Sequence, residues 1–171
     1  SLVGSEMCIR DSLQGNMKKL SEKEKAYIAG FLDGDGSIYV RLKPNSDYRF
    51  RFQIAPTIVF YQAEKEKHHL VWLQRKLGEG YLRKRKDGIV EYTIGDVKGI
   101  ESFLHSILPY LRLKRKQAQL MLKVLDAKGK IKTAKEFVRL AELIDRFQEL
   151  NYSKKRTQNA ERVKLTLQKE G

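Results

Sequence analysis

The segment YIAGFLDGDGS at residues 27–37 constrains the fold of this chain more than any other stretch of its sequence. Its first half combines apolar residues with an alanine and a glycine, a composition typical of a helix that a second helix can approach closely. Upstream, Ser21 and Glu24 have the spacing of a capping box, in which each side chain accepts a hydrogen bond from the other residue's backbone N–H. We therefore predict a helix from Glu22 to about Asp33 that runs directly into an acidic, glycine-rich stretch.

Two glycines frame the second aspartate of this segment. We expect Gly34 and Gly36 to end the helix in left-handed conformations, which glycine adopts at little cost. Asp35 then lies at the negative end of the helix dipole, where a carboxylate is unfavourable unless a cation joins it. Because carboxylate oxygens are preferred ligands of hard divalent ions, the pattern indicates a metal site at Asp35.

Two other interpretations of the segment compete with this one. An EF-hand calcium loop requires an acidic first residue and a glutamate at its last position. With Gly36 as the invariant glycine these positions hold Phe31 and Leu42, and with Gly34 they are again apolar, so both registers fail. The second interpretation, a plain capped helix followed by a solvated pair of aspartates, stays open on this segment alone.

The chain carries a large excess of positive charge. Its 171 residues include 35 Lys and Arg against 21 Asp and Glu, a formal net charge of +14, which favours a polyanionic partner and nucleic acid above all. Hydrophobic residues make up 41% of the sequence, enough for one globular domain of ordinary size. No apolar run of the sequence reaches the roughly 18 residues of a membrane span, so we expect no membrane partner and an intracellular location, in a prokaryotic cytoplasm or an organelle.

The cysteine and histidine content argues against a zinc site. Cys8 is the single cysteine, which excludes an internal disulfide and a multi-cysteine site and fits a reducing compartment. His68 and His69 are adjacent, so we expect them to diverge on a helix as surface residues that share no metal.

The remaining sequence predicts the element order αββαββ, followed by further helices. Residues 1–16 have neither helical nor strand periodicity and Met17 with two lysines is typical of a native start, so we treat 1–16 as leader or added, non-native sequence. We expect one domain over residues 17–171. Pro56 cannot donate to a sheet ladder and should mark a bulge or an edge. The elements expected after the first helix are strands 38–43, 49–54 with its continuation 57–61, 81–86 and 90–94, and helices 65–77, 97–107, 116–127, 133–150 and 157–169.

Basic and polar side chains alternate with apolar ones along the predicted strands. They place guanidinium, ammonium, amide and phenol groups on one face, and a β-ribbon with such groups can read base edges in the major groove of DNA. A solvated sheet face is the alternative, although the alternation in so basic a chain favours DNA binding. The residues of this face are Tyr39, Arg41, Lys43, Arg49, Arg51, Gln53, Tyr81, Arg83 and Arg85.

The metal site needs more oxygen ligands than one helix end supplies. Asp33 and Asp35 lie roughly 200° apart around a helix and cannot both point into one site. A second copy of the helix would supply a second Asp35, and Ala29, Gly30 and Phe31 are the expected contact residues. We therefore predict a homodimer, whose two-fold symmetry suits the antiparallel strands of double-stranded DNA.

The segment IAGFLDGDG at residues 28–36 resembles the signature of the LAGLIDADG homing endonucleases. The resemblance extends from about Tyr27 to Leu125 and is closest to the homodimeric, intron-encoded branch whose members carry one such motif. It implies an α+β fold with an αββαββα core, an antiparallel DNA-binding sheet and additional C-terminal helices. Further matching stretches are Lys43-Pro44-Asn45, Tyr48, Gln53, Gly78 to Tyr81 with Arg83, and Pro109 to Ala118.

The same resemblance implies roles for individual residues. Asp35 and the carbonyl of Gly34 would bind Mg²⁺, which Mn²⁺ or Ca²⁺ can replace, Ca²⁺ without supporting cleavage. Gln62 and Lys114 would position water and phosphate as catalytic residues. The alternatives are an ordinary polar strand end for Gln62 and a surface lysine at a helix start for Lys114.

The resemblance is imperfect in the helix after the fourth strand segment. The family carries a basic residue there, whereas this chain has Glu66, for which Lys65 or Lys67 can substitute. Near the C-terminus, a hydroxyl- and lysine-rich loop is predicted to clamp DNA phosphates, with a plain solvated loop as the alternative. The DNA-binding residues expected beyond the sheet face are Asn45, Tyr48, Lys116, Ser153, Lys154 and Arg156.

The predicted function is site-specific cleavage of double-stranded DNA. We expect a homodimer to cut a long pseudo-palindromic target by Mg²⁺-dependent phosphodiester hydrolysis. One alternative on the same fold is an RNA-binding intron-splicing maturase, which an intact Asp35 argues against. The other is a non-catalytic DNA-binding regulator, which Gln62 and Lys114 argue against.

Overall fold

A computed structural model describes residues 19–151 and 156–170 of the chain. The predicted leader at residues 1–16 and the predicted DNA contacts Ser153 and Lys154 lie outside the described residues. Within the two described ranges, no helix combines the length and the apolar character needed to cross a membrane.

The described residues form a mixed helical and β structure. The helices are α1 (Glu22–Asp35), α2 (Lys67–Leu77), α3 (Val97–Ile107), α4 (Arg115–Lys128), α5 (Ala134–Asp145), α6 (Phe147–Leu150) and α7 (Ala160–Gln168). The strands are β1 (Gly36–Pro44), β2 (Phe52–Ala63), β3 (Tyr81–Lys84) and β4 (Ile89–Ile94), and short 3-10 turns occupy Glu64–Glu66 and Leu108–Tyr110. The predicted order αββαββ followed by helices is confirmed.

The described chain divides into two compact units. The first contains residues 19–38 and 57–115, and the second contains residues 39–56, 116–151 and 156–170. Strands β1 and β2 each contribute residues to both units. The single domain expected over residues 17–171 stays a prediction.

Aromatic rings form the centre of the first unit. The ring of Phe60 in β2 lies 5.2 Å from that of Phe31 in α1, 6.0 Å from Tyr92 in β4 and 6.1 Å from Phe103 in α3, measured between ring centres. These are favourable separations for aromatic pairs, and full burial of a phenylalanine contributes about 1.5–3 kcal/mol. The cluster therefore fixes helix α1 against strand β2.

The sheet has the strand order β1-β2-β4-β3. Strand β2 pairs antiparallel with β4, beginning with Ile58 opposite Ile94, and β3 pairs antiparallel with β4, beginning with Tyr81 opposite Thr93. Pro56 was expected at a bulge or an edge, but it lies inside the continuous strand β2. It comes two residues before the register with β4 begins, so its missing N–H removes none of those pairs.

The turn between β1 and β2 is longer than the sequence predicted. Residues 45–51 form turns, so Arg49 and Arg51 lie outside the strands and the strand predicted from residue 49 is wrong in its first part. The ring of Phe50 stacks on Phe137 of α5 at 5.0 Å. Arg51 has a φ of 63°, a left-handed conformation that is uncommon for any residue but glycine.

The second unit carries the C-terminal helices. Thr133 and Glu136 form a capping box at the start of α5. The helix predicted over 133–150 is interrupted after Asp145, where α6 follows as a separate turn. The last helix starts at Ala160 because the side chain of Asn159 accepts a hydrogen bond from the N–H of Arg162, a few residues later than predicted.

Helix α1 ends without a left-handed glycine, so that expectation is wrong. The helix includes Gly34 and continues to Asp35, and its C-cap Gly36 has a φ of −127°, an extended conformation. Gly36 is instead needed for space. A Cβ atom at this position would lie 2.5 Å from the Cδ1 of Leu32 and 3.0 Å from the carbonyl oxygen of Val59.

Substituting Gly36→Ala should lower the free energy of unfolding by about 1–3 kcal/mol, the usual cost of overpacking. The extended backbone suits alanine, so the loss comes from the collision with the fully buried Leu32 and the β2 backbone. Urea unfolding measures it. The control Gly129→Ala, whose added Cβ would meet its nearest atom at 3.6 Å, should change stability by less than about 0.5 kcal/mol. Equal losses in the two variants would contradict the explanation.

Candidate active site

The end of helix α1 presents Asp35 to the end of strand β2. The carboxylate of Asp35 is exposed, and its Oδ2 accepts a hydrogen bond of 3.0 Å from the Nε2 of Gln62. Gln62 is the second-last residue of β2. The bond orients the carboxylate, while the exposure keeps it accessible to a ligand.

Lys114 joins this pair from the turn that precedes α4. Its ammonium donates a hydrogen bond to the backbone carbonyl of Asp33 and lies within the electrostatic influence of the Asp33 and Asp35 carboxylates. Helix α1, strand β2 and the turn before α4 thus bring together the three residues that were predicted to be catalytic, namely Asp35, Gln62 and Lys114.

Burial and nearby charges shift the pKa of Lys114 in opposite directions. Partial burial lowers the pKa of Lys114 below its ordinary value, and the carboxylates of Asp33 and Asp35 raise it back in part. A lysine with a lowered pKa is a cation below that pKa and loses its proton more readily as the pH rises. In its protonated form Lys114 places a cation within the electrostatic influence of the exposed carboxylate of Asp35.

Asp33 organises the site in a way that the sequence did not reveal. Its side chain is buried, and its carboxylate accepts hydrogen bonds from the backbone N–H groups of Arg112 at 2.8 Å, Leu113 at 3.2 Å and Lys114 at 2.9 Å. The partners lie about eighty residues along the chain, beyond any local pattern. The sequence did contain one sign that Asp33 is buried, because Asp33 lies one helical turn after Ala29 on the same face of α1.

Strand β3 presents the predicted Tyr81 and Arg83, and Arg85 follows its last residue, because the strand ends two residues earlier than predicted. The acidic residues beside these side chains were missed. Arg83 donates to the Oε2 of Glu91 from Nε at 3.0 Å and from Nη2 at 2.6 Å. Arg85 lies 2.7 Å from Asp87 and 3.6 Å from Glu91. Because Glu91 stands opposite Arg83 in the antiparallel register, this face carries an acid that fixes the guanidinium in place.

In the second unit, the outward side chains of β1 alternate as predicted. The guanidinium of Arg41 lies over the ring of Tyr39, 5.0 Å from its centre, and donates to its hydroxyl at 3.3 Å. This stacking holds Arg41 extended along the strand. The other predicted DNA contacts of this unit that are exposed or half-buried are Lys43, Asn45, Tyr48, Arg49, Gln53 and Lys116.

Arg51 has partners within the second unit. Its Nη1 donates to the carbonyl of Ser46 at 2.9 Å, and its Nε lies 2.9 Å from a carboxylate oxygen of Glu170. The side chains of Arg51 and Glu170 are both exposed, so the ion pair between them is weak and exchanges with water. A DNA contact by Arg51 stays a prediction.

Arg156 has partners within the second unit, and its predicted phosphate contact stays a prediction. Its side chain is half-buried, and it donates to the carbonyl of Ile144 at 2.9 Å and to the carbonyl of Val40. Burial lowers the pKa of Arg156, which is the expected effect of removing a cation from water. Its donors thus join the end of α5 to β1 inside the second unit, a structural role.

Comparisons with known proteins identify the family of this chain. The family model for LAGLIDADG endonucleases matches residues 28–127. The chain is 34% identical over 150 residues to the DNA endonuclease I-CreI of Chlamydomonas reinhardtii, an alignment that covers 87% of this chain and 91% of that protein. The chain belongs to the LAGLIDADG endonuclease family. It is also 34% identical over 146 residues to I-CvuI of Chlorella vulgaris, which covers 85% of this chain and 91% of that protein.

A solved structure of the LAGLIDADG family shows the same fold. The homing endonuclease I-CvuI in complex with the I-CreI target superposes with a TM-score of 0.82 at 33% identity, covering 86% of this chain and 94% of that one. The predicted family membership and the predicted α+β homing-endonuclease fold are both confirmed.

The LAGLIDADG helix α1 has two distinct faces. Ala29 is fully buried within its own chain and Phe31 packs against Phe60, so these two predicted interface residues point inward, and at Ala29 the prediction is wrong. Gly30 and Gly34 are exposed. A Cβ atom added at either glycine would meet no atom of the described residues within 4 Å.

The departure from the LAGLIDADG pattern at Glu66 has local consequences. Glu66 is half-buried, while Lys65 and Lys67 on either side are exposed, and which of the two replaces the family's basic residue stays undecided. His68 and His69 do not diverge as expected. Their ring centres lie 4.3 Å apart and both face the carboxylate of Glu66, because this residue precedes the first turn of α2.

Proposed function

We propose that this LAGLIDADG protein cleaves a long pseudo-palindromic site in double-stranded DNA as a homodimer, by metal-dependent phosphodiester hydrolysis. The observation that carries the proposal is the convergence of Asp35, Gln62 and Lys114 in the first unit. A carboxylate, an amide and an ammonium can hold a metal ion, orient a water molecule and neutralise charge on a phosphate. The structure of I-CvuI with a DNA target supports DNA as the partner.

The donor atoms at the end of α1 suit a hard divalent cation such as Mg²⁺. Asp35 offers an exposed carboxylate, and the carbonyl of Gly34 belongs to the last helical turn, where backbone oxygens have no partner within the helix. When bound, such an ion supplies Lewis-acid stabilisation of the phosphate and a more acidic water. Mn²⁺ and Ca²⁺ suit the same oxygens, and we expect Ca²⁺ to bind without supporting cleavage; relatives solved with Mg and with Ca support a divalent ion.

The other two residues act on the phosphate and on the water. Gln62 orients the Asp35 carboxylate through its Nε2, and its amide oxygen is left to accept a hydrogen bond from the attacking water. The ammonium of Lys114 stabilises negative charge that develops on the phosphate. The role of Lys114 needs the turn before α4 to stay fixed relative to α1, and the Asp33 carboxylate holds that turn through its hydrogen bonds.

Three features of the first unit support a dimer through α1. Asp33 points into its own chain, so each chain offers a single motif carboxylate, and two chains offer one for each DNA strand. Gly30 and Gly34 lie one turn apart on the exposed face. Large apolar side chains are also exposed in this unit, Tyr27 at 54% and Leu113 at 75%, as at surfaces that a partner covers.

Substituting Gly30→Leu should convert the dimer to a monomer, because the new side chain fills the space through which a second helix approaches. Sedimentation velocity measures the change in mass. Gly129→Leu adds the same volume at another exposed glycine outside α1 and should leave the dimer intact. A Gly30→Leu protein that sediments as the wild type would contradict an interface through α1.

Arg83 is the proposed reader of a base pair, since Glu91 holds its guanidinium rigidly on the exposed face of β3. Arg83→Ala should relax the preference at one symmetric pair of target positions, at about 1–3 kcal/mol per bidentate contact. Binding to a set of singly substituted targets measures this. Arg139→Ala removes an equal charge from the exposed face of α5 and should leave the preference unchanged. An equal loss on every target would mean that Arg83 contacts phosphate only.

Digestion of a randomised DNA library tests the whole proposal. We expect recurrent ends within one long, nearly palindromic sequence, in the presence of Mg²⁺ and not in its absence. The Asp35→Asn protein serves as the control for contaminating nucleases. Ends scattered over all sequences would contradict site specificity. Binding without cleavage in every divalent ion would favour the regulator, and activity in an intron-splicing assay alone would favour the maturase.

A further inference from the structure

A second group of metal-ligating side chains lies at the start of α2 and shares no residue with the Asp35 site. The Oε2 of Glu66 is 3.8 Å from the Nε2 of His68 and 3.9 Å from the Nε2 of His69. One ligand atom from each of the three residues falls within 4.8 Å of the others. We infer that Glu66, His68 and His69 bind a transition-metal dication of the Zn²⁺ class, an activity beyond DNA cleavage.

The distances are close to those of a zinc centre. Zinc takes imidazole nitrogen at about 2.0–2.1 Å and carboxylate oxygen at about 2.0–2.2 Å in tetrahedral geometry, which puts neighbouring ligand atoms roughly 3.3 Å apart. The separations from Glu66 exceed this by about half an ångström, and all three ligand atoms lie within 4.8 Å of one another, so the cluster must contract on binding an ion. Because His68 and His69 are both exposed, small rotations of their side chains close that gap without moving the backbone.

The donor set decides which ion binds. Two imidazoles and one carboxylate form a set that zinc enzymes use, with water as the fourth ligand. Imidazole nitrogen suits Zn²⁺, Cu²⁺ and Ni²⁺, whereas Mg²⁺ demands oxygen. The group at Glu66 and the group at Asp35 therefore select different ions. The positive end of α2 and the exposed Lys65 and Lys67 oppose a cation, but solvent and salt screen such exposed charges.

The chain contains an intrinsic fluorescent reporter for this site. Trp72, the single tryptophan, lines a groove of about 470 Å³ together with His68, His69 and Tyr27. It lies one helical turn beyond His68 on α2. A paramagnetic ion bound by the two histidines should quench the fluorescence of Trp72, so Cu²⁺ titration reads out occupancy directly.

The test uses the full chain with Cys8→Ser, which removes a competing thiol, after treatment with EDTA. Calorimetry should give one Zn²⁺ per chain at this cluster, and Cu²⁺ should quench Trp72. Mg²⁺, which suits the oxygens of the Asp35 site, should neither quench Trp72 nor displace Zn²⁺ from the histidines. His68→Ala and His69→Ala should each weaken Zn²⁺ affinity more than roughly tenfold, which is the lower end of the loss that even outer-shell changes cause. Glu66→Gln keeps the shape of the side chain and should weaken the Zn²⁺ affinity as well.

The control is His105→Ala, the remaining histidine, which is exposed on α3. It should leave affinity, stoichiometry and quenching unchanged. Circular dichroism checks that each variant is folded. Absence of Zn²⁺ binding would overturn the inference and would mean that the cluster is only an ion pair of Glu66 with histidines. Undiminished binding in the double variant of His68 and His69 would overturn it too. None of these readouts depends on DNA cleavage.

Discussion

Replacing Asp35 with asparagine should reduce DNA cleavage by at least about a hundredfold, while the affinity for target DNA stays equal or rises. Asparagine retains the shape of the side chain and an oxygen that can accept the hydrogen bond from Gln62, so the local structure persists. The substitution removes a charged metal ligand and a charge that repels DNA phosphates. A loss of roughly 3 kcal/mol in transition-state stabilisation corresponds to that hundredfold change.

Cleavage rates in saturating Mg²⁺ and binding in Ca²⁺ separate the two effects of this substitution. Asp126→Asn, at an exposed carboxylate on α4, removes the same charge and should change neither quantity. Residual cleavage above about a tenth of the wild-type rate would contradict Asp35 as the principal metal ligand. Weaker DNA binding would mean that the carboxylate acts by orienting the protein on the DNA.

The sequence predicted the elements whose ends are fixed by nearby residues. Helix α3 has the predicted bounds because the side chain of Asp96 accepts a hydrogen bond from the N–H of Gly99 at 2.9 Å. Helix α1 starts where the capping box of Ser21 and Glu24 was expected. Helix α2 stops at Gly78, which has a φ of 74° as a left-handed cap requires. In each case the deciding contact spans a few residues.

The sequence failed where a distant partner decides the conformation. Phe50 fits a strand pattern, yet it stacks on Phe137, a residue of a later helix, and lies in a turn. No local pattern predicted that the guanidinium of Arg156 donates to the carbonyl groups of Ile144 and Val40. The family resemblance supplied Gln62 and Lys114, but no short-range pattern could predict that Asp33 positions the turn of Lys114.

Asp33→Asn should lower the free energy of unfolding on the order of 3 kcal/mol. The side chain of Asp33 is buried and accepts hydrogen bonds from three successive backbone N–H groups, those of residues 112–114. Hydrogen bonds to a charged acceptor contribute about 1.5–3 kcal/mol each, and an asparagine amide turns an N–H₂ group toward some of these donors. Urea unfolding measures the loss. Asp126→Asn, whose exposed carboxylate pairs with Lys130 at 3.0 Å, should cost less than about 1 kcal/mol.

The Asp33→Asn variant should also change how cleavage depends on pH. The carboxylate of Asp33 raises the pKa of Lys114 against the burial that lowers it. Without that charge, the pKa of Lys114 falls further below its ordinary value, so the ammonium is lost at a lower pH. In the proposed mechanism the protonated form of Lys114 stabilises the phosphate. Cleavage by the Asp33→Asn protein should therefore decline on the alkaline side at a lower pH than cleavage by the wild type.

The pH profile distinguishes two ways in which Asp33 can support Lys114. If the carboxylate only positions the turn, the variant loses rate and stability, and the alkaline decline stays where the wild type has it. If the carboxylate also holds the proton on Lys114, the decline moves to lower pH, and Lys114→Arg in the Asp33→Asn background should abolish it because the guanidinium keeps its charge. Wild-type stability together with an unmoved decline would contradict both roles, since three hydrogen bonds and one charge would then have no measurable effect.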